Sequence, residues 1–173
     1  MKTRIRRTVS LVLAVVMTAL TVLTLGACSQ KKTYTVGICQ LAQHSALDAA
    51  TQGFKDALVA RLGAENVKFD EQNANGDSVT CGTIVNSFVS KKVDLIMANA
   101  TASLQAAYNA TADIPILGTS VTEYGVALNL KDFNGIVGGN VSGTSDLAPL
   151  AEQAAMIAEL FPDAKTVGLL YCS

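Results

Sequence analysis

The segment from Tyr34 to Gly63 reads YTVGICQLAQHSALDAATQGFKDALVARLG and predicts a strand followed by an amphipathic helix. Residues 34–40 are a short β-rich run of the kind found in buried strands. From Ser45 onward, apolar side chains recur every three or four residues, which is the spacing of one helix face. These side chains are Leu47, Ala50, Phe54, Leu58 and Leu62. We expect Ser45 to cap this helix and Gly63 to end it.

The same alternation of strand and helix continues along the chain. Further strands are predicted at 67–73, 94–99, 115–120, 135–141 and 167–172. Helices are predicted to begin at Asp77, at Thr101 or Ser103, and at Asp146. We expect Pro149 in the first turn of the last helix and Pro162 beyond its end. Alternating strands and helices predict an α/β fold, a Rossmann-like parallel sheet with helices on both faces, and the almost wholly apolar strand 94–99 is expected at its centre.

The N-terminal segment, residues 1–27, has the pattern of an export signal. Four basic residues and no acidic ones precede the apolar run 11–25, which is shorter than the ~20 residues of a membrane-spanning helix. Small residues then precede Cys28, an arrangement that resembles the lipidation site of bacterial lipoproteins. We predict a lipoprotein signal peptide at 1–27, lipidation at Cys28 and a tether at 28–33. An ordinary signal peptide, or a membrane anchor with a chance cysteine, is the alternative.

The charge of the chain changes when this segment is set apart. The 173 residues have a net charge of −1, but 9 Lys and Arg against 14 Asp and Glu lie beyond residue 27. The remainder is therefore acidic, which argues against a nucleic-acid partner because such proteins present a basic face.

The cysteines beyond Cys28 are Cys39, Cys81 and Cys172, and they form no CxxC pair. This spacing predicts neither a zinc site nor a thioredoxin-type redox pair. We interpret these cysteines as small buried side chains. A Cys39–Cys81 disulfide is an open alternative outside the cytosol.

Candidate site residues follow the predicted strands. Ligands of open parallel sheets bind beyond the carboxyl ends of the strands, where helix N-termini suit a carboxylate. The residues at those positions are small and polar, which is typical of a binding site. The candidate ligand-binding residues are Gln40, His44, Asn99, Thr101, Ser120 and Thr122. As alternatives, His44 could be a surface or capping residue, and Asn99 and Thr101 could be helix caps.

Catalytic motifs are absent from the sequence. His44 is the only histidine, and no GxSxG motif is present. The glycines of 138–145 are spaced as in a phosphate-binding loop, but Thr144 stands where that loop needs Lys. We therefore predict no catalytic residue, no metal site and no cofactor.

Several stretches together resemble ABC-transporter substrate-binding lipoproteins of the branch that includes tryptophan- and tyrosine-binding members. They are VGICQLAQHSALD at 36–48, QNANGD at 72–77, GTSVT at 118–122 and GNVSGTSDL at 139–147. Cys39 departs from the pattern, since an apolar residue is usual there, and Glu123 stands where Asp is expected. The resemblance implies a type 1 periplasmic-binding-protein fold, in which two lobes close on a small solute.

The resemblance also implies a domain plan and a function. The N-terminal lobe would span 34–134, a crossing or hinge segment 135–145, and the start of a C-terminal lobe 146–173, so we expect the chain to be the N-terminal portion of a longer protein. It would be a lipid-anchored, extracytoplasmic protein that delivers an amino acid, aromatic by family likeness, to ABC permease subunits. The alternatives are a sensing lipoprotein without transport and a secreted α/β enzyme, which would need His44.

Overall fold

The computed structural model describes residues 32–170 and shows five parallel strands with five α-helices in that part of the chain. The strands are β1 (Tyr34–Gln40), β2 (Val67–Asn73), β3 (Leu95–Asn99), β4 (Ile116–Val121) and β5 (Val141–Ser145). The helices are α1 (Ser45–Leu62), α2 (Ser78–Lys91), α3 (Thr101–Ala110), α4 (Tyr124–Ala127) and α5 (Leu150–Leu160). The predicted signal peptide, the lipidation site Cys28 and the last cysteine, Cys172, lie outside the described residues.

The five strands form one sheet in the order β2-β1-β3-β4-β5, and every pairing is parallel. The prediction that the apolar strand near 94–99 lies at the centre is confirmed. Because all strands run the same way, their carboxyl ends share one edge of the sheet, and the helices that follow begin there.

Helices cover both faces of the sheet, as predicted. On one face, α1 packs Phe54 and Leu58 against the buried side chains of Val36, Ile38 and Met97. On the other face, α2 and α3 supply a larger cluster around β1, β3 and β4. Its large, fully buried members include Val85, Phe88, Ile96, Leu104 and Ile116, all of them less than 2% exposed. Burying side chains of this size stabilises the fold by about 1.5–3 kcal/mol each.

The prediction of a strand at 135–141 is wrong, because the edge strand β5 begins where that range ends. Pairing with β4 starts at the bond from the Ile116 amide to the Asn140 carbonyl (2.8 Å), and Ile116 is in register with Val141. Gly138 and Gly139 have φ of +76° and +61°, a left-handed conformation that turns the chain before the strand begins.

The prediction that Asp146 caps the last helix is also wrong. The Asp146 amide donates to the Val121 carbonyl (3.2 Å), so this residue still extends the pairing of β4 with β5. Pro149 disfavours a helical conformation at the residue before it, and α5 begins at Leu150 with Pro149 as its N-cap. The helix ends at Leu160, ahead of Pro162, as predicted.

The predicted strand at 167–172 is not formed in its described part, residues 167–170. A strand needs a neighbour for its backbone hydrogen bonds, and no strand of the described chain lies beside this segment. Residues 150–170 are exposed throughout. The apolar side chains among them include Leu150, Met156, Leu160, Phe161, Leu169 and Leu170.

Within residues 32–170, no helix combines the length and the apolar character needed to cross a membrane.

Candidate ligand-binding site

Two predicted site residues, Gln40 and Asn99, lie side by side at the carboxyl ends of neighbouring strands. Gln40 at the end of β1 is in register with Asn73 on one side and Asn99 on the other, and Asn99 is in register with Thr119. Four adjacent strands therefore carry an amide or hydroxyl side chain at or near their carboxyl ends, the position at which ligands of parallel sheets bind.

Gln40 and Asn99 are joined in a buried network with Thr51 of α1. Gln40 is 5% exposed, Thr51 3% and Asn99 0%. The Thr51 hydroxyl donates to Gln40 Oε1 (2.7 Å), and Asn99 Nδ2 donates to Thr51 Oγ1 (2.9 Å). Asn99 Nδ2 also donates to the Leu47 carbonyl at 2.8 Å. Gln40 and Asn99 therefore both lie at the carboxyl edge of the sheet, and their side-chain amides form hydrogen bonds with groups of α1.

The Asn99 side chain is only half satisfied. Its amide nitrogen has partners on α1, whereas Oδ1 is buried and has no hydrogen-bond partner within the described residues. Leaving a buried acceptor unpaired costs about 1–3 kcal/mol. Such orphaned atoms are uncommon in folded proteins and are concentrated where function constrains the structure.

His44 is the N-cap residue of α1, so the expectation that Ser45 has this role is wrong. The backbone of His44 is extended, and its Nδ1 accepts a hydrogen bond from the Ala46 amide at 3.2 Å. Ser45 already belongs to the helix. Since Nδ1 acts as the acceptor, Nε2 carries the proton, and the exposed ring can donate it outward. His44 therefore caps α1, and its role in ligand binding stays a prediction.

Thr101 is exposed and is the first residue of α3, the ten-residue helix that follows the central strand. Among residues 32–170, no side chain caps the N-terminus of α3. The residue before it, Ala100, has φ of +90°, a conformation that costs a non-glycine residue about 1–3 kcal/mol. The uncapped N–H groups carry the positive end of the helix dipole.

The N-termini of α2 and α4 are occupied by acidic side chains. Asp77 accepts hydrogen bonds from the amides of Val79 and Thr80, and the Thr80 hydroxyl, with these amides, lowers the pKa of the Asp77 carboxyl. Glu123 caps α4 by accepting from the amides of Gly125 and Val126. With His44 on α1, the helices that follow β1, β2 and β4 are each capped by a side chain within the described chain, whereas α3 and α5 are not.

Ser120 and Thr122 lie at the end of β4, toward the edge strand. Ser120 is partly buried and has φ of +54°. Like Ala100, it is a non-glycine residue with a positive φ near the end of a strand. Thr122 is exposed, and its carbonyl accepts a hydrogen bond from the Ser145 hydroxyl at 2.7 Å.

Tyr124 anchors the site edge to β5. Its hydroxyl donates to the Thr144 carbonyl at 3.1 Å, and the residue is only 7% exposed. Burial raises the pKa of the Tyr124 phenol, and the negative charge of Asp146 adds to the rise. The ring lies against Gly118 and Gly143, which are paired in the sheet and leave room for it.

Cys39 and Cys81 are free, buried thiols that both contact the Ser103 hydroxyl, at 3.5 and 3.6 Å. Burial raises the pKa of Cys39 to about 12, and the neighbouring Cys81 thiol contributes to the rise. This agrees with their interpretation as small buried side chains.

Sequence reasoning missed Thr51 and Ala100, and it did not show how Tyr124 packs. Thr51 carried a usable signal, because it lies four residues after Leu47, and a polar residue on the apolar face of a helix needs a buried partner. The strained backbone of Ala100 and the packing of Tyr124 on two glycines depend on tertiary contacts and leave no local pattern.

A parallel sheet that carries amide and hydroxyl side chains at its carboxyl edge, beside the uncapped N-terminus of α3, has the arrangement typical of a ligand-binding protein. A family model described as ABC transporter substrate binding protein matches residues 35–173, and the chain belongs to this family. Its matched relatives are substrate-binding proteins and not enzymes, and substrate-binding proteins of ABC transporters work outside the cytoplasm.

Individual relatives make the likeness specific. A tyrosine-binding protein from Clostridioides difficile (strain R20291) is 44% identical over 146 residues, which are 82% of this chain and 41% of that protein. A ligand-free, open substrate binding protein with adhesive properties from Clostridium difficile is 43% identical with a TM-score of 0.67, over 77% of this chain and 45% of that one. An ABC domain in complex with L-Trp from Streptococcus pneumonia is 31% identical with a TM-score of 0.69, over 76% and 45%.

The chain therefore spans less than half the length of these relatives.

Proposed function

We propose that this protein captures an aromatic amino acid outside the cytoplasm and delivers it to an ABC permease. The observation that carries the proposal is the uncapped N-terminus of α3, at the end of the central strand and among polar side chains. One matched relative is named a tyrosine-binding protein, and another is described in complex with L-Trp. Both descriptions support an aromatic ligand.

The ligand carboxylate binds the free N–H groups of α3 in this proposal. A negative group at a helix N-terminus accepts hydrogen bonds and interacts favourably with the dipole. The Thr101 hydroxyl and the exposed His44 ring are the side chains available to orient the ligand. Carboxylates stand at the N-terminal ends of the neighbouring helices, with Asp48 in the first turn of α1 and Asp77 and Glu123 as the N-caps of α2 and α4, which favours a ligand that also carries an ammonium group.

Residues 34–134 form one of two lobes in this proposal, with the crossing segment at 135–145 and the start of the second lobe at 146–173. The coverage of the relatives, 41–45% of their length, supports this plan. Contacts from both lobes to the ligand would favour the closed state, and this difference between open and closed forms is what a permease can recognise.

A thermal-shift screen on the full-length protein tests the ligand class. Because a ligand that binds only the native state stabilises it by about 2.7 kcal/mol at 100 times its Kd, L-tyrosine or L-tryptophan should raise the melting temperature. The other amino acids serve as controls. The absence of a shift with every amino acid would contradict the proposal.

The orientation of the ligand has its own test. L-Tyrosinamide and tyramine keep the phenol and the amine of tyrosine but lack its carboxylate. We expect both to bind far more weakly than L-tyrosine, because the N–H groups of α3 would lose a charged acceptor. Equal affinity for L-tyrosine and L-tyrosinamide would show that the carboxylate binds elsewhere.

Export and anchoring are proposed through Cys28, which would receive the lipid. A Cys28→Ser variant should leave the membrane fraction and appear in the soluble extracytoplasmic fraction, while a Cys39→Ser variant keeps the anchor. A separate experiment distinguishes transport from sensing. Deletion of the gene should abolish uptake of labelled tyrosine if the protein serves a transporter. Unchanged uptake would leave the sensing alternative.

A further inference from the structure

Thr51 is buried between two predicted ligand-binding residues. It lies one turn after Leu47, on the side of α1 that faces the sheet, and it is 3% exposed. A hydroxyl can donate one hydrogen bond and accept others, so it can join two amide side chains that each need a different partner. Thr51 does so by donating to Gln40 and accepting from Asn99.

The two amides in turn hold the loop between β1 and α1. Gln40 Nε2 donates to the Ala42 carbonyl at 2.8 Å and to Asp48 Oδ1 at 2.6 Å. Asn99 Nδ2 donates to the Leu47 carbonyl at 2.8 Å. The loop carbonyl at Ala42 and the first turn of α1 are thus both fixed to the ends of the central strands. His44 is the exposed residue between Ala42 and Leu47, so these hydrogen bonds also restrict its position.

We propose that Thr51 is a positioning residue, which orients Gln40 and Asn99 so that the β1–α1 loop presents His44 to the ligand. In this account Gln40 and Asn99 act through the loop, consistent with their burial. The inference rests on the proposed function, since it assumes that the ligand enters at this edge. Valine in place of Thr51 would keep the volume but remove both hydrogen bonds.

Amide hydrogen exchange tests the effect on the loop without a ligand. In Thr51→Val, the amides of Ala46 and Asp48, which donate to the side chain and the carbonyl of His44, should exchange at least tenfold faster than in the native sequence. Thr51→Ser keeps the hydroxyl and should restore slow exchange. Val59→Ala is the matched control, because Val59 packs farther along α1 and its loss should leave these two amides unchanged. Unchanged exchange in Thr51→Val would overturn the proposal.

Titration with L-tyrosine and L-tryptophan tests the effect on the site in the full-length protein. We expect Thr51→Val to raise the Kd at least tenfold, while Thr51→Ser and Val59→Ala stay within twofold. If Thr51→Val binds as tightly as the native protein, the positioning role is wrong. If Thr51→Val does not fold, Gln40→Met must show the same faster exchange and weaker binding, or the proposal fails. Absence of binding by the native protein would contradict the proposed function, whereas the exchange experiment still decides the role of Thr51.

Discussion

His44 combines two tasks that different substitutions can separate. Its Nδ1 caps α1, and its Nε2 is free to donate to a ligand. His44→Ala should lower the free energy of unfolding by about 0.5–2 kcal/mol, because the Ala46 amide loses its acceptor. His44→Asn keeps a capping oxygen and should stay within a few tenths of the native value. Urea denaturation measures both.

Ligand binding by the same two variants identifies the second task. Both lack the Nε2 donor, so both should bind L-tyrosine more weakly in the full-length protein. Native affinity in the stably folded His44→Asn protein would show that His44 is a capping residue only.

The buried thiols should be unreactive in the native protein. With the pKa of Cys39 raised to about 12, about one thiol in ten thousand is ionised at pH 8, and only the thiolate is nucleophilic. We expect iodoacetamide to leave Cys39 and Cys81 unmodified in the folded protein and to modify both in urea, as mapped by peptide mass spectrometry. Rapid modification of the native protein, or a Cys39–Cys81 disulfide in an unreduced sample, would contradict this.

Gly118 and Gly143 allow β4 and β5 to pair beside the Tyr124 side chain. A Cβ at Gly143 would collide with the Tyr124 hydroxyl and the Gly118 carbonyl, and backbone cannot move aside cheaply. Gly143→Ala should therefore destabilise the fold by about 1–3 kcal/mol, the usual cost of overpacking. Gly53 is the control, since it lies in α1 with open space around it, and Gly53→Ala should stabilise by about 0.5–1 kcal/mol. Equal stabilities of the two variants, measured by thermal unfolding, would contradict the packing described for Tyr124.

Local patterns were sufficient for the elements that carry their own signals. β1 and β2 have the predicted bounds, because apolar runs and turn residues determine them locally, whereas α1 ends where predicted but begins one residue earlier, with His44 as its cap instead of Ser45. The region 135–150 was misread for a physical reason. Its glycines allow several backbone paths, and the edge strand is selected by pairing with β4, a contact between residues about 25 apart.

The candidate site was predictable in outline only. The rule that ligands bind at the carboxyl ends of parallel strands placed Gln40, Asn99 and Thr101 at the correct edge. Which of their polar atoms remain available depends on partners from other elements. Thr51 and Leu47 occupy the amide of Asn99, whereas the N-terminus of α3 stays uncapped, and neither fact is written in the local sequence.

At the scale of the whole molecule, residues 34–145 carry the sheet, and residues 150–170 expose their side chains to solvent. The two-lobe proposal predicts that residues 1–173 alone bind L-tyrosine weakly or not at all, because contacts from the second lobe are missing. Isothermal titration would show this, and tight binding by this chain alone would contradict the two-lobe plan.

Equilibrium dialysis of the full-length protein against L-tyrosine and L-tryptophan tests the central claim most directly. We predict saturable binding of one aromatic amino acid per protein chain, with competition between the two ligands and none from L-tyrosinamide at the same concentration. Retention of neither amino acid by a protein that circular dichroism shows to be folded would contradict it.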